Sequence, residues 1–170
     1  MHLIRLAVIS FLVLAILITG ISLFIPSNVR ISRSVNINAS KDVVLAQIRD
    51  AERWKAWYPG VENAKPMMAD GKTKGVIFDD SDPKHPVYVG LTGEKENEVN
   101  AEFVTKKMNP VTYSWVAGDG PTPGTTILQW NMNFKLRWYP WEKFASLTLE
   151  KTQGPPMEEG LANIKKITEN

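Results

Sequence analysis

Residues 6–25, LAVISFLVLAILITGISLFI, run for twenty positions without a charge, between Arg5 and Pro26. As a helix rising about 1.5 Å per residue, this segment would be about 30 Å long, the thickness of a bilayer's hydrocarbon core. It has no polar face, which argues against a helix half-buried in a soluble core. A signal peptide has an apolar stretch of only about 7–15 residues and a small-residue cleavage site. Gly20-Ile21-Ser22 weakly imitates such a site, but the apolar run continues past it. Residues 1–28 are therefore expected to be a single-pass membrane anchor, with a signal sequence as the competing reading. Arg5 and the amino terminus flank one side and Arg30, Arg33 and Lys41 the other. That near balance tilts only slightly toward a cytoplasmic domain.

Residues 29–170 are long enough for one core and are expected to form one domain. Twenty Lys and Arg against 18 Asp and Glu leave a net charge of +2, without the basic footprint of a nucleic-acid binder. Cysteine is absent and His85 is the only histidine in the domain, since His2 precedes the apolar run. A cysteine nucleophile, a disulfide framework and a multi-histidine metal site are thereby excluded, and no metal or cofactor is expected.

Alternation marks the first element: Val29, Ile31, Arg33, Val35 and Ile37 share one face, with Arg33 breaking its apolar character. Arg33 is expected near the membrane-proximal end, where it can reach water. Ser40 is placed as an N-cap, and Val44, Leu45 and Ile48 give residues 41–49 an amphipathic helix. A second short helical piece covers 51–57 and stops at Tyr58-Pro59-Gly60. Short strands are predicted at 76–78, 87–92, 94–100, 101–106 and 111–117, with a loop at 118–124. The clearest strand follows, where Leu128, Trp130, Met132, Phe134, Leu136 and Trp138 alternate with polar residues, as in one half of a one-sided antiparallel sheet. Residues 141–151 read as a short helix carrying Trp141, Phe144 and Leu147. Gly154-Pro155-Pro156 is expected to interrupt it before a final helix whose face holds Met157, Leu161, Ile164 and Ile167.

The order is strand, two short helices, about six strands and a long terminal helix, an α+β arrangement in which that helix must cover the apolar sheet face. Three strings sharpen this: Val35-Asn36-Ile37-Asn38-Ala39-Ser40, then Asp50 with Trp54-Lys55-Ala56-Trp57-Tyr58-Pro59, then Gly160-Leu161-Ala162-Asn163-Ile164-Lys165. Order and strings together resemble the START-like, or SRPBCC, superfamily, in particular its polyketide cyclase-like and dehydrase-like bacterial branch. The resemblance spans about 29–170 and implies a helix-grip fold, a curved sheet wrapped around the C-terminal helix.

It also implies a cavity between sheet and helix for a lipid or other apolar small molecule. Trp54, Trp57 and Tyr58 would stand near its mouth, with Trp115, Trp130, Met132 and Phe134 in its wall and Leu161 and Ile164 facing them. Core filling is the competing account of each of these residues. Asp79, Asp80, Ser81, Asp82 and His85 form the one polar cluster worth weighing for chemistry. One flexible stretch with Pro83 and Pro86 is better explained as a solvated turn, so no catalytic residue is assigned. The leading expectation is a membrane-tethered binder of an apolar small molecule. The alternatives are an interaction protein like the related activators of the Hsp90 chaperone ATPase, or a cyclase or dehydratase. No protein partner can be named from the sequence.

Overall fold

A computed structural model of the chain describes residues 2–169. The apolar run forms helix α1, His2–Ser22, and no residue of its apolar window is buried. It is therefore not a core helix, and it is long and apolar enough to cross a membrane.

Strand β1 (Asn28–Ile37) leads to α2 (Lys41–Arg49) and a 3-10 helix (Ala51–Ala56). Six strands follow: β2 (Lys65–Ala69), β3 (Lys72–Asp79), β4 (Val87–Lys95), β5 (Glu98–Val104), β6 (Val111–Asp119) and β7 (Thr126–Lys135). Two helices close the chain, α3 (Pro140–Ser146) and α4 (Leu149–Glu169). All seven strands pair antiparallel in one sheet of order β1-β7-β6-β5-β4-β3-β2. β1 joins β7 with Ile31 opposite Met132 and Arg33 opposite Trp130. The register carries the predicted alternation. Leu128, Trp130, Met132 and Phe134 are buried inward, and Gln129, Asn131 and Ser32 form a hydrogen-bonded ladder on the outer face. α4 lies across the inner face, bringing Met157, Leu161 and Ile164 into the same core, and α2 adds Val44, Leu45 and Ile48. This is the helix-grip arrangement.

Several local expectations need correction. Arg33 does not sit at the membrane-proximal end. It lies midway along β1 beneath α4, where its guanidinium reaches Glu150 at 2.5 Å and Glu158 at 2.6 Å. Gly154 falls one turn from each glutamate; a Cβ there would stand 2.6 Å from Arg33 Nη2, so a glycine lets the guanidinium cross the helix. The two glutamates hold the Arg33 pKa above its ordinary value.

The break between the last two helices falls at Leu147-Thr148 rather than at Gly154-Pro155-Pro156, and α4 runs on through both prolines. Ser40 occupies the N-cap position of α2 without a side-chain bond, while Asp50 caps the 3-10 helix by accepting from the Glu52 N–H at 3.1 Å. β2 had no sequence signal.

β7 also ends sooner than its alternation suggests. Past Lys135, the Leu136 N–H donates to Ser27 O at 2.7 Å, and Arg137 grips Glu142, its backbone N–H donating to Oε2 at 2.8 Å. The chain leaves the sheet there, and Trp138, Trp141 and Leu147 turn outward instead of packing.

Candidate functional site: an aromatic interior

All nine residues singled out from the sequence are buried. Trp54, Trp57 and Tyr58 come from the 3-10 helix and the turn after it, Trp115 from β6 and Trp130 from β7. The structure gathers these five into one ring-to-ring cluster. Trp115 and Trp130 are 5.3 Å apart between centroids, Tyr58 and Trp130 5.4 Å, and Trp57 meets Trp130 edge-on at 6.0 Å. Such contacts stabilise aromatic pairs beyond simple burial. Trp54 and Trp57 are fully buried and so stand inside, not at an opening. α4 closes on the cluster at Gly160, where a Cβ would come 2.9 Å from Trp130 Cζ3 and 3.2 Å from Pro59 Cδ. Asn163 Nδ2 donates to Trp57 O at 3.2 Å beside it. Helix and sheet touch at this crossing.

The four core indoles are not equivalent. Trp54 Nε1 donates to Ile48 O at 2.8 Å, and Trp57 Nε1 to Gln47 O at 3.0 Å. These two indoles tie the 3-10 helix to α2. The Nε1 atoms of Trp115 and Trp130 are buried and find no acceptor. A desolvated, unpaired donor costs about 1–3 kcal/mol, and buried polar groups in native structures are nearly always paired.

Tyr113, on β6, is a site residue the sequence reading passed over. It packs edge-on against Trp115 at 6.0 Å and Trp130 at 6.1 Å. Its alternation with Val111 and Trp115 was the available signal. Burial pushes the Tyr113 phenol up to about 12, and it raises the Tyr58 phenol well above its ordinary value, with the neighbouring Tyr113 adding to the effect. Both phenols are neutral at physiological pH and can donate hydrogen bonds. Among the described residues no Asp or Glu is buried, so this interior holds no carboxylate to act as a base.

Phe134 leaves the cluster and reaches an apolar cleft of about 60 Å³, lined with it by Met108, Leu136, Ala145 and Leu149. This cleft lies at the end of the domain where α1 joins. A wider, open groove of about 980 Å³ runs between α2 with the 3-10 helix and β2–β5, with Met67, Leu91 and Val99 beside Arg49 and Arg53. The Asp79–His85 stretch is the solvated turn expected. The Lys84 N–H and the His85 ring both engage Asp82, at 3.2 and 3.0 Å, and all three are surface groups.

A family model described as "Polyketide cyclase / dehydrase and lipid transport" matches residues 28–169. The chain belongs to that family. Among solved structures, this family member is similar to the Zhui aromatase/cyclase from a Streptomyces species, with 13% identity, 84% of this chain and 94% of that one covered, and a TM-score of 0.63. A START superfamily protein from Mycobacterium smegmatis matches at 15% identity over 82% and 97% of the two chains, with a TM-score of 0.59. Norcoclaurine synthase from Thalictrum flavum matches at 9% identity over 82% and 92%, also with a TM-score of 0.59. At such identities the likeness is one of fold alone. Comparison with the curated proteins finds no match. Membership in the polyketide cyclase, dehydrase and lipid transport family supports a domain for hydrophobic ligands.

Proposed function

We propose that the chain is a membrane-tethered domain that binds a lipid-like molecule between sheet and α4. The molecule's oxygen acceptor would meet the indole N–H groups of Trp115 and Trp130. The carrying observation is that pair of buried donors without acceptors, set among indoles of the same core that are paired. An apolar body would lie along Tyr58, Trp130, Met132 and Phe134, opposite Leu161 and Ile164. The way in is the cleft at Phe134, which opens beside the attachment of α1. A cleft of about 60 Å³ is far below the roughly 300–1,000 Å³ of small-molecule sites. Uptake therefore requires α3 to swing from the end of β7 about the joint at Leu147-Thr148.

The family match begins at residue 28, after α1, so residues 26–170 suit a binding assay. Purified from lipid-containing cells, this fragment should carry an extractable apolar molecule visible by native mass spectrometry. Once stripped, it should take up a fluorescent fatty acid. Trp130→Phe should weaken that uptake roughly 5- to 150-fold, the equivalent of the about 1–3 kcal/mol that a ligand acceptor recovers from the unpaired donor. A fragment that carries nothing and takes up nothing would refute the reading.

Tyr58 and Tyr113 favour one second reading, a cyclase or dehydratase in which neutral phenols polarise a substrate carbonyl. In that case Tyr58→Phe would abolish turnover of a polyketone substrate while leaving its binding intact.

A further inference from the structure

Six tryptophans divide unevenly: four are buried in the core, and the other two, Trp138 and Trp141, are each 65% exposed within four residues of one another. Tyr139 lies between them, stacked on Trp141 at 4.7 Å with the planes 9° apart and tilted against Trp138 at 5.0 Å. Phe144 and Leu147 continue the surface along α3, Leu147 being 68% exposed. Among the described residues, none of these side chains belongs to the core cluster.

Their position is fixed relative to α1. Lys143, buried in α3, donates from Nζ to Ile25 O at 2.8 Å and to Ser27 Oγ at 2.7 Å. An ammonium at the carboxyl end of a helix is also favoured by the helix dipole. The Leu136 N–H donates to Ser27 O from the other side. The aromatic surface therefore sits level with the end of α1, where Leu23 and Phe24 are themselves exposed, Phe24 at 90%. Lys107 and Lys135 lie at the same rim, exposed and without an ion pair among the described residues.

We propose that Trp138, Trp141, Phe144 and Leu147 insert into the headgroup layer of the bilayer that α1 crosses, forming a second foot that holds the domain face-down on the membrane. Trp and Tyr prefer that layer because it accepts a flat apolar ring with a polar edge. Lys107 and Lys135 would then meet lipid phosphates. The foot also places the Phe134 cleft, whose wall includes Ala145 of α3, directly over the lipid. The inference rests on α1 spanning the membrane, as in the proposed function.

The absence of cysteine allows a clean test on the full chain. Single variants Leu147→Cys, Leu14→Cys and Glu96→Cys, each carrying an environment-sensitive fluorophore, are reconstituted in vesicles of phosphatidylcholine and phosphatidylglycerol. Glu96 lies in the β4–β5 turn at the far end of the sheet and serves as the aqueous control. The expected result is blue-shifted emission at Leu147→Cys, lost on adding lipid with a headgroup-level nitroxide, while Glu96→Cys reports water. An aqueous label at 147 with a lipid-embedded label at 14 overturns the foot and leaves the tether standing. A blue-shifted label at 147 that lipid nitroxide does not quench means that protein covers this surface, and overturns the foot. An aqueous label at position 14 overturns foot and tether together.

Discussion

Replacing Trp130 by Phe removes a buried N–H that has no acceptor, whereas the same replacement at Trp57 removes one that donates to Gln47 O at 3.0 Å. The rings shrink alike, both residues are buried, and both pack on Tyr58 and Trp115, so much of the contraction term cancels between the two variants. What remains is the polar difference. Trp57→Phe forfeits a hydrogen bond with a net value of about 1 kcal/mol, while Trp130→Phe relieves a desolvated donor costing about 1–3 kcal/mol. In the ligand-stripped 26–170 fragment, Trp130→Phe should therefore be more stable than Trp57→Phe by roughly 2–4 kcal/mol. Urea denaturation followed by far-UV circular dichroism reads this directly, provided the slopes of the two variants agree. With the acceptor-bearing ligand bound, the gap should narrow, because Trp130 then has something to donate to. Equal destabilisation by both variants in the stripped fragment would refute the reasoning, since it would mean that the Trp130 N–H is already satisfied within the protein.

Gly160→Ala places a methyl 2.9 Å from Trp130 Cζ3, and overpacking of about 1–3 kcal/mol should outweigh the roughly 1 kcal/mol gained in helix propensity. Gly154→Ala meets only the tip of Arg33, which can move, so thermal melts should show the smaller loss at position 154. Tyr113 ionises near 10 when unfolded and at about 12 when folded, so its contribution is fully present below pH 10 and is lost as pH rises toward 12. That amounts to about 2–3 kcal/mol, and Tyr113→Phe should flatten this alkaline limb of a stability–pH curve. Asp80→Ala and His85→Ala, in the solvated turn, should leave fatty-acid uptake unchanged in the assay that detects the loss at Trp130→Phe.

Sequence periodicity carried the strands and the terminal helix because one-sided burial imposes it. β7 alternates over the whole stretch from Leu128 to Phe134 where α4 covers it. The same cue overran the true end of the strand. Leu136 and Trp138 keep the rhythm, but the grip of Arg137 on Glu142 and the bond from Leu136 to Ser27 belong to partners that no local pattern names. Pro155 and Pro156 read as a break because a proline removes a helix bond, yet packing of α4 against β1 and Trp130 carries the helix through them. For the site, composition singled out the aromatics as a group. Which indoles were tied to Ile48 and Gln47 and which were left free depends on where the 3-10 helix comes to rest, and that is a tertiary fact.

The pairing of β1 with β7 sets an order of events during synthesis. Ser32 bonds to Asn131 across 99 positions of chain. A ribosome adding roughly 5–20 residues per second exposes β1 for some seconds before its partner exists. α1 emerges ahead of both, so whatever captures it does so while the sheet still has an open side. Delivery of the amino-terminal helix and completion of the sheet are thus separated in time, and a stall between residues 37 and 126 would leave β1 with no strand to pair with.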